Sequence, residues 1–182
     1  MKIAIIVSRF DPQAGGLEQW TAALVHYLSA QGHELHIVTF AATITDIPAR
    51  LHVLPDPGSF FARSRALAAG ARAVQADVIL DTGASWCGDV LLLPTGSHLM
   101  AHDRALAAQP WRQRMLATLN PKLQAQRALT TLFERYQLHR ARHIIAISAM
   151  VRDVLVAIYP AAARRIHVIY NGVDTTRFAP AA

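Results

Sequence analysis

The sequence predicts a Rossmann-like α/β fold: an open parallel sheet with helices on both faces. Short apolar runs alternate with helical patterns along the chain, as in repeated βα units. Many of these runs are rich in β-branched residues, as expected of parallel strands that are covered on both faces. A chain of 182 residues with 53% hydrophobic content is also large enough for one domain with its own core.

The first βα unit shows the pattern most clearly. Residues 2–8 (KIAIIVS) form a continuous apolar run, which predicts a buried strand. After a loop with two adjacent glycines, apolar residues recur at helical spacing from Leu17 to Leu28, and Gly32 is expected to end that helix. The same reasoning predicts strands over 35–40, 51–54 and 78–81, and a helix over 60–75.

The second half continues the alternation. It predicts strands over 90–93, 143–147 and 166–170, one or two helices over 98–119, a helix that begins at Pro121, and a helix over 149–158. In the helix from Pro121, the apolar stripe is expected to consist of Leu129, Leu132, Phe133 and Tyr136, with Arg127, Glu134 and Arg135 largely off it. Asn171-Gly172 is a turn signal, so we expect one domain over 1–170 and the start of an interdomain linker over 171–182.

Composition excludes several classes of protein. The one cysteine, Cys87, cannot form an intramolecular disulfide, which excludes a secreted disulfide scaffold and favours a cytoplasmic protein. No segment has the roughly 18 consecutive apolar residues of a membrane-spanning helix. The first apolar run is too short for a signal peptide and reads as a strand.

The positive charge is concentrated in one stretch. The whole chain has 18 Lys and Arg against 12 Asp and Glu, but residues 104–142 contain eight basic residues and one acid, Glu134. This stretch is a solvated helix face, a surface that lies on acidic lipid, or a groove for a phosphorylated substrate. The scarcity of acids favours the last two interpretations. Nucleic acid fits less well, because no aromatic interleaving or binding motif accompanies the charge.

The loop after the first strand contains Gly15 and Gly16 just before a helix. Their backbone N–H groups would be accessible at the positive end of the helix dipole, which is typical of a diphosphate cradle, although a simple tight turn explains them equally well. Glu18 is expected to stabilise the helix dipole and could hydrogen-bond a sugar hydroxyl. The loop lacks G-x-G-x-x-G, the second strand lacks a following acid, and no Gly-Lys-Ser/Thr occurs, which argues against a nicotinamide or flavin site and against a P-loop.

Four other side chains are candidates for chemistry. His98 follows a predicted strand, where an imidazole could reach a bound sugar or accept a proton; the alternative is a helix-start histidine bonded to nearby backbone. His102 lies four residues further on, but Leu99 stands where a zincin has Glu, so we predict no metal site. Ser148 fits a helix N-cap, and Cys87 fits a small packed residue.

Two segments together resemble the family 4 glycosyltransferases. The opening, with RFDPQAGGLEQW and then QGHE, looks like the start of these enzymes, and HIIAISAMVRDVL followed by HVIYNGVDTTRFAP resembles the passage from their N-terminal domain into the interdomain linker. The middle of the chain, from GSHLM through the basic helices, is similar to members that elongate the lipopolysaccharide core.

The resemblance implies the N-terminal, acceptor-binding domain of a GT-B enzyme. Such enzymes move a sugar from a nucleotide diphosphate to an acceptor hydroxyl, usually with retention and without a bound metal or other cofactor. By this analogy Gly15 and Gly16 face the donor diphosphate and His98 lies near the transferring sugar. Arg9, Glu18 and Arg104 are candidates for the acceptor side.

The resemblance also sets an expectation about what the chain lacks. The Glu-x7-Glu segment and the Arg/Lys pair that hold the donor belong to the family's second domain, and the 182 residues contain neither. We therefore expect the isolated chain to bind a glycan or glycolipid acceptor weakly and to transfer no sugar. The expected partners are the nucleotide sugar, that acceptor, the second domain and the inner face of the membrane through helices 104–142. The alternative is a stand-alone, non-catalytic domain that binds phosphorylated glycolipid or a partner subunit.

Overall fold

The computed structural model describes residues 1–44, 46–94 and 96–172, and most of the predicted linker lies outside them. The described residues form one seven-stranded sheet in which every pair of neighbouring strands is parallel. The strands are β1 (Lys2–Ile6), β2 (Glu34–Thr39), β3 (Arg50–Val53), β4 (Val78–Asp81), β5 (Val90–Leu92), β6 (His143–Ala146) and β7 (Ile166–Val168), in the spatial order β3-β2-β1-β4-β5-β6-β7. The predicted open parallel sheet is confirmed.

The helices agree closely with the predicted segments. They are α1 (Gly16–Ala30), α2 (Phe60–Ala73), α3 (His98–Ala107), α4 (Trp111–Leu119), α5 (Pro121–Arg140) and α6 (Ala149–Ile158), with a 3₁₀ helix over Pro160–Arg165. The segment 98–119 forms two helices because Pro110, which has no backbone N–H, stands between them. Gly32 has a φ of +79°, the left-handed conformation that ends a helix at low cost for glycine.

Both faces of the sheet carry helices. Successive side chains of β1 alternate between the faces, so Ile3 and Ile5 pack in one core cluster with Val25 of α1. Ala4 and Ile6 point the other way and pack in a second cluster with Leu67 of α2. A third cluster joins β5, β6 and β7 to α5 and α6. Because helices cover both faces of the sheet, the strands are continuous apolar runs in the sequence.

The predicted apolar stripe of α5 is wrong for most of its members. Phe133 is buried, but Leu132 is 61% exposed, and Leu129 and Tyr136 are also exposed. The face that packs on the domain consists of Phe133, Glu134, Gln137 and Leu138. Helical periodicity locates a stripe but not which face meets the core, and here polar side chains occupy half of the buried face because they bind backbone groups of neighbouring loops.

The connection from β4 to β5 is unusually short. It spans residues 82–89, whereas parallel neighbours usually need a crossover of a dozen or more residues. The return path lies directly against β4: a Cβ built on Gly88 would be 2.6 Å from the Cβ of Asp81 and 3.0 Å from the carbonyl oxygen of Val90. Gly88 therefore lets the chain double back without displacing either strand.

Among the described residues, no helix is both long enough and apolar enough to cross a membrane.

Candidate functional site at the carboxyl edge of the sheet

The strand order places a crevice at the carboxyl end of the sheet. The chain runs outward from β1 to β2 and β3, then returns to the other side of β1 with β4. The loops after β1 and β4 therefore diverge, and such a switch point is where open α/β sheets bind ligands. The loop after β1 contains Arg9, Gly15 and Gly16, and the loop after β4 contains residues 82–89.

The glycine pair lies at the N-terminus of α1. Gly15 is the N-cap in an extended conformation with no side-chain cap, and Gly16 is the first helical residue. A Cβ added to Gly16 would meet nothing within 4 Å, whereas one on Gly15 would be 2.9 Å from Oε2 of Glu18. The positive end of the helix dipole is thus open at Gly16, whereas the Glu18 carboxylate lies close to Gly15. Glu18 lies where the dipole stabilises negative charge, as predicted.

A cavity of about 210 Å³ adjoins this helix start. It brings α1 together with the carboxyl ends of β5 and β6 and with the residues after β7, and its lining is Gly16, Leu17, Trp20, Leu92, Pro94, Ile147 and Asn171. Trp20 is half-buried in this wall. The periodicity of the sequence places Trp20 on the apolar face of α1. The strand order decides that this side chain lies beside the ends of β5 and β6.

The predicted acceptor-side residues do not converge in one cluster. Arg9 is an exposed residue of the loop after β1, and its guanidinium donates to Asp11 Oδ2 at 3.1 Å. Asp11 also accepts from the backbone N–H of Gln13, so the pair shapes this loop. Glu18 lies at the start of α1, and Arg104 is exposed in the last turn of α3.

His98 is the first residue of α3, directly after the carboxyl end of β5. Its backbone N–H donates to Oε2 of Glu134 at 2.6 Å, and Ser97 caps the same turn by accepting from the N–H of Met100. Its side chain lines a cavity of about 180 Å³ between α3 and α5, together with residues such as His102 and Arg127. His98 and Gly16 therefore line separate cavities.

A buried carboxylate organises the second crevice loop, and sequence reasoning missed it. Asp81, at the end of β4, is 1% exposed and accepts from the N–H groups of Gly83 and Ala84 at 3.0 and 2.8 Å. Ser85 donates to it through its N–H and, at 2.6 Å, through its hydroxyl. Burial raises the pKa of Asp81 to about 6, although these hydrogen bonds oppose the shift. The available signal was an acid in an apolar strand followed by Thr-Gly-Ala-Ser, a typical turn sequence.

Two side chains have structural roles, as predicted. Ser148 caps α6 by accepting from the N–H of Val151 at 3.2 Å. Cys87 is half-buried and lies 3.4 Å from the hydroxyl of Ser85, and burial raises the pKa of its thiol, which lowers its reactivity. Among the described residues, no group of three or more His, Cys, Asp or Glu side chains is placed to hold a metal ion.

The basic stretch 104–142 includes a helix without a buried face. No residue of α4 is buried, and its apolar residues are exposed: Trp111 (66%), Met115 (54%), Leu116 (67%) and Leu119 (70%). Arg112 lies over the ring of Trp111, 5.4 Å from its centroid. An exposed apolar patch with basic neighbours is typical of a surface that meets a membrane or a partner.

Comparison with known proteins places this architecture in a family. The family model described as Glycosyltransferase Family 4 matches residues 14–177. A search of curated proteins by sequence finds no match.

Solved structures share the fold at low sequence identity. WaaG, described as a glycosyltransferase involved in lipopolysaccharide biosynthesis, aligns with a TM-score of 0.72 and 15% identity over 96% of this chain and 46% of its own. Sucrose-phosphate synthase from Thermosynechococcus elongatus aligns with a TM-score of 0.69 and 16% identity over 99% of this chain and 50% of its own. A glycosyltransferase from Rickettsia africae aligns with a TM-score of 0.59 and 14% identity over 98% of this chain and 45% of its own.

The chain thus spans about half the length of each of these structures. The family model covers most of the chain, including the glycine pair, the loop after β4 and the basic helices. The fold agrees with the α/β domain that the sequence predicted. The chain therefore belongs to glycosyltransferase family 4, and its α/β fold is that of about half of each of these solved structures.

Proposed function

We propose that this chain is the acceptor-binding domain of a retaining glycosyltransferase. The enzyme transfers a sugar from a nucleotide-diphosphate sugar to a glycan or glycolipid acceptor of the lipopolysaccharide core type. The family match over residues 14–177 is the observation that carries the proposal. A second domain supplies most of the donor site, consistent with a chain that spans about half of its structural relatives.

In the proposed reaction an acceptor hydroxyl oxygen forms a bond to the anomeric carbon of the sugar. The bond from that carbon to the diphosphate oxygen breaks, and the hydroxyl proton passes to the departing diphosphate. Gly15 and Gly16 face the diphosphate at the positive end of α1, and Gly16 leaves its approach free of side chains. The Glu18 carboxylate lies close to Gly15 and would repel the diphosphate, so in this scheme it turns away and hydrogen-bonds an acceptor hydroxyl.

His98 is the proposed catalytic residue. It follows the carboxyl end of β5, the edge at which open α/β sheets bind ligands. An imidazole there can hydrogen-bond the transferring sugar and polarise the group that loses a proton. Arg9 and Arg104, both exposed cations, complete the acceptor side and suit the phosphates of a lipopolysaccharide core. The donor requires no bound metal in this scheme.

The test is turnover of nucleotide sugars by an enzyme that carries this domain joined to its donor-binding domain. His98→Ala is expected to lower kcat about 100-fold, because the group beside the reacting sugar is lost. His102→Ala, an imidazole in the same cavity one turn away, is the matched control and is expected to retain activity near the starting level. Equal kcat for His98→Ala and the unaltered enzyme would contradict the role of His98.

The isolated chain provides a second measurement of the same proposal. Purified residues 1–182 are expected to show no transfer from any nucleotide sugar in a panel. Measurable turnover would contradict the division of the site between two domains. Binding of phosphorylated glycolipid without activity in any two-domain form would instead favour the non-catalytic binding module.

We further propose that the basic helices 104–142 dock the domain on an anionic membrane surface. On α4, Trp111 and Leu119 are the apolar anchors, with Arg112 and Arg114 facing lipid phosphates.

The chain is expected to sediment with vesicles that contain phosphatidylglycerol. The double variant Arg112→Ser with Arg114→Ser is expected to weaken this binding about fivefold per charge removed. The charge-matched control replaces two exposed arginines of α2, Arg65→Ser with Arg72→Ser. Equal losses in both double variants would overturn the assignment to α4.

A further inference from the structure

Glu134 is an acid that is completely buried in the middle of α5. Its Oε2 accepts from the backbone N–H of His98 at 2.6 Å, across 36 residues of sequence. Its Oε1 has no hydrogen-bond partner in the part of the chain that the structure describes. Burying a carboxylate costs free energy unless it binds polar groups, so the bond to the His98 N–H is needed to offset that cost.

The helix that Glu134 contacts has little else to hold it. No residue of α3 is buried, so the helix lacks the apolar anchor that fixes α1, α2 and α6 on the sheet. Ser97 caps α3 from within the first turn of the same helix, so this bond does not link α3 to another element. A second polar link to α5 joins Asp103 to Arg127, but both of these side chains are accessible to solvent. The buried link at the helix start is therefore the stronger restraint on α3.

The charge of Glu134 matches this location. The carboxylate lies at the N-terminus of α3, where the helix dipole favours negative charge and free N–H groups need acceptors. The hydroxyl of Tyr159 is buried near Glu134, and burial together with that charge raises the pKa of Tyr159, which keeps the hydroxyl protonated. Gly96, with φ at +76°, lies just before the helix start and leaves the backbone there able to adopt other conformations.

We infer that Glu134 is a positioning residue: its carboxylate fixes the N-terminus of α3 and with it the place of His98 at the carboxyl edge of the sheet. The link from α5 to α3 thereby sets the distance of the His98 imidazole from whatever binds in the crevice. The catalytic consequence rests on the proposed function of His98. The positioning itself is a property of the domain alone and is tested without any substrate.

The first experiment measures amide hydrogen exchange of residues 1–182 by NMR. Glu134→Ala is expected to speed exchange at the His98 N–H about tenfold or more, because that group loses a charge-assisted acceptor. Glu134→Gln keeps an acceptor oxygen and is expected to restore most of the protection. Asp103→Asn, which removes the exposed link between the same two helices, is the matched control and should leave the His98 amide unchanged. Unchanged exchange at His98 in Glu134→Ala would overturn the inference.

Glu134→Ala removes a buried group and is the variant most at risk of not folding, so Glu134→Gln carries an independent readout. Loss of the charge is expected to move the His98 amide proton upfield, since the short bond to a carboxylate becomes a bond to a neutral amide. Amides near Asp103 should stay in place. A His98 amide that does not move in Glu134→Gln would overturn the inference even if the alanine variant gave no folded protein.

Activity of the two-domain enzyme separates this inference from the proposed function. Glu134→Ala is expected to lower kcat about tenfold with little change in the KM of the nucleotide sugar, and Glu134→Gln to rescue most of kcat. If the His98 amide loses protection while kcat stays unchanged, the positioning by Glu134 stands and the catalytic role of His98 is wrong.

Discussion

Asp81→Ala is expected to lower the free energy of unfolding by about 4 kcal/mol at pH 5, because four donors, two of them buried, then lose their acceptor. The N–H groups of Gly83, Ala84 and Ser85 and the hydroxyl of Ser85 all donate to this carboxyl group. The N–H and the hydroxyl of Ser85 are buried, so these two donors cannot turn to water when the carboxyl group is removed. Urea unfolding followed by far-ultraviolet circular dichroism measures the loss.

Asp77→Ala is the matched control for this substitution. Asp77 is an exposed acid that accepts from the backbone N–H of Lys2 at 2.7 Å, so its loss leaves the donor free to bind water. We expect a loss of about 1 kcal/mol or less. Similar losses for Asp77→Ala and Asp81→Ala would show that the donors around Asp81 find other acceptors, which would contradict its role in ordering the crevice loop.

The stability of the protein is expected to rise on acidification through the titration of Asp81. Burial raises the pKa of this group from 3.8 to about 6, so the folded protein binds the proton more tightly than the unfolded chain does. The resulting stabilisation is fully present below pH 3.8 and is lost as the pH rises through about 6. The shift corresponds to a gain of about 2.4 kcal/mol between pH 7 and pH 4.

Comparison with Asp81→Asn isolates this contribution, because other groups titrate in the same range. The difference in unfolding free energy between the unaltered chain and Asp81→Asn is measured at a series of pH values from 7 to 4. It should move in favour of the unaltered chain as the pH falls, with its midpoint between the two pKa values. A difference that is constant over this range, or that moves the other way, would contradict a raised pKa for Asp81.

The elements of the fold could be read from the sequence with bounds that differ from the structure by a few residues at most. Strands such as 78–81 were recovered because parallel strands buried on both faces are continuous apolar runs between turn signals. Gly32 was recovered as a helix end because its left-handed φ is a local property of the backbone. The glycine pair was found because its position at the start of α1 is also set by residues adjacent in sequence.

The buried polar groups could not be found this way. Glu134 was placed off the apolar stripe of α5, but its burial depends on the N–H of His98, which the chain brings to it from 36 residues away. Asp81 looked like the end of a strand, and its four donors become neighbours only because the next loop folds back over it. A prediction from hydrophobic periodicity assigns every acid to the solvent face. It takes no account of hydrogen-bond partners that are distant in sequence.

The sequence by itself determined the α/β class, the order of the elements and the location of the basic stretch, because each follows from local periodicity, turn residues and charge. The tertiary structure decided which residues share a cavity: Gly16 and Trp20 meet the ends of β5 and β6, whereas His98 lies between α3 and α5. It also decided which side chains fix the surrounding backbone: Asp81 binds the loop after β4, and Glu134 binds the start of α3. These outcomes depend on strand order and on long-range hydrogen bonds, which bring together residues that no local pattern relates.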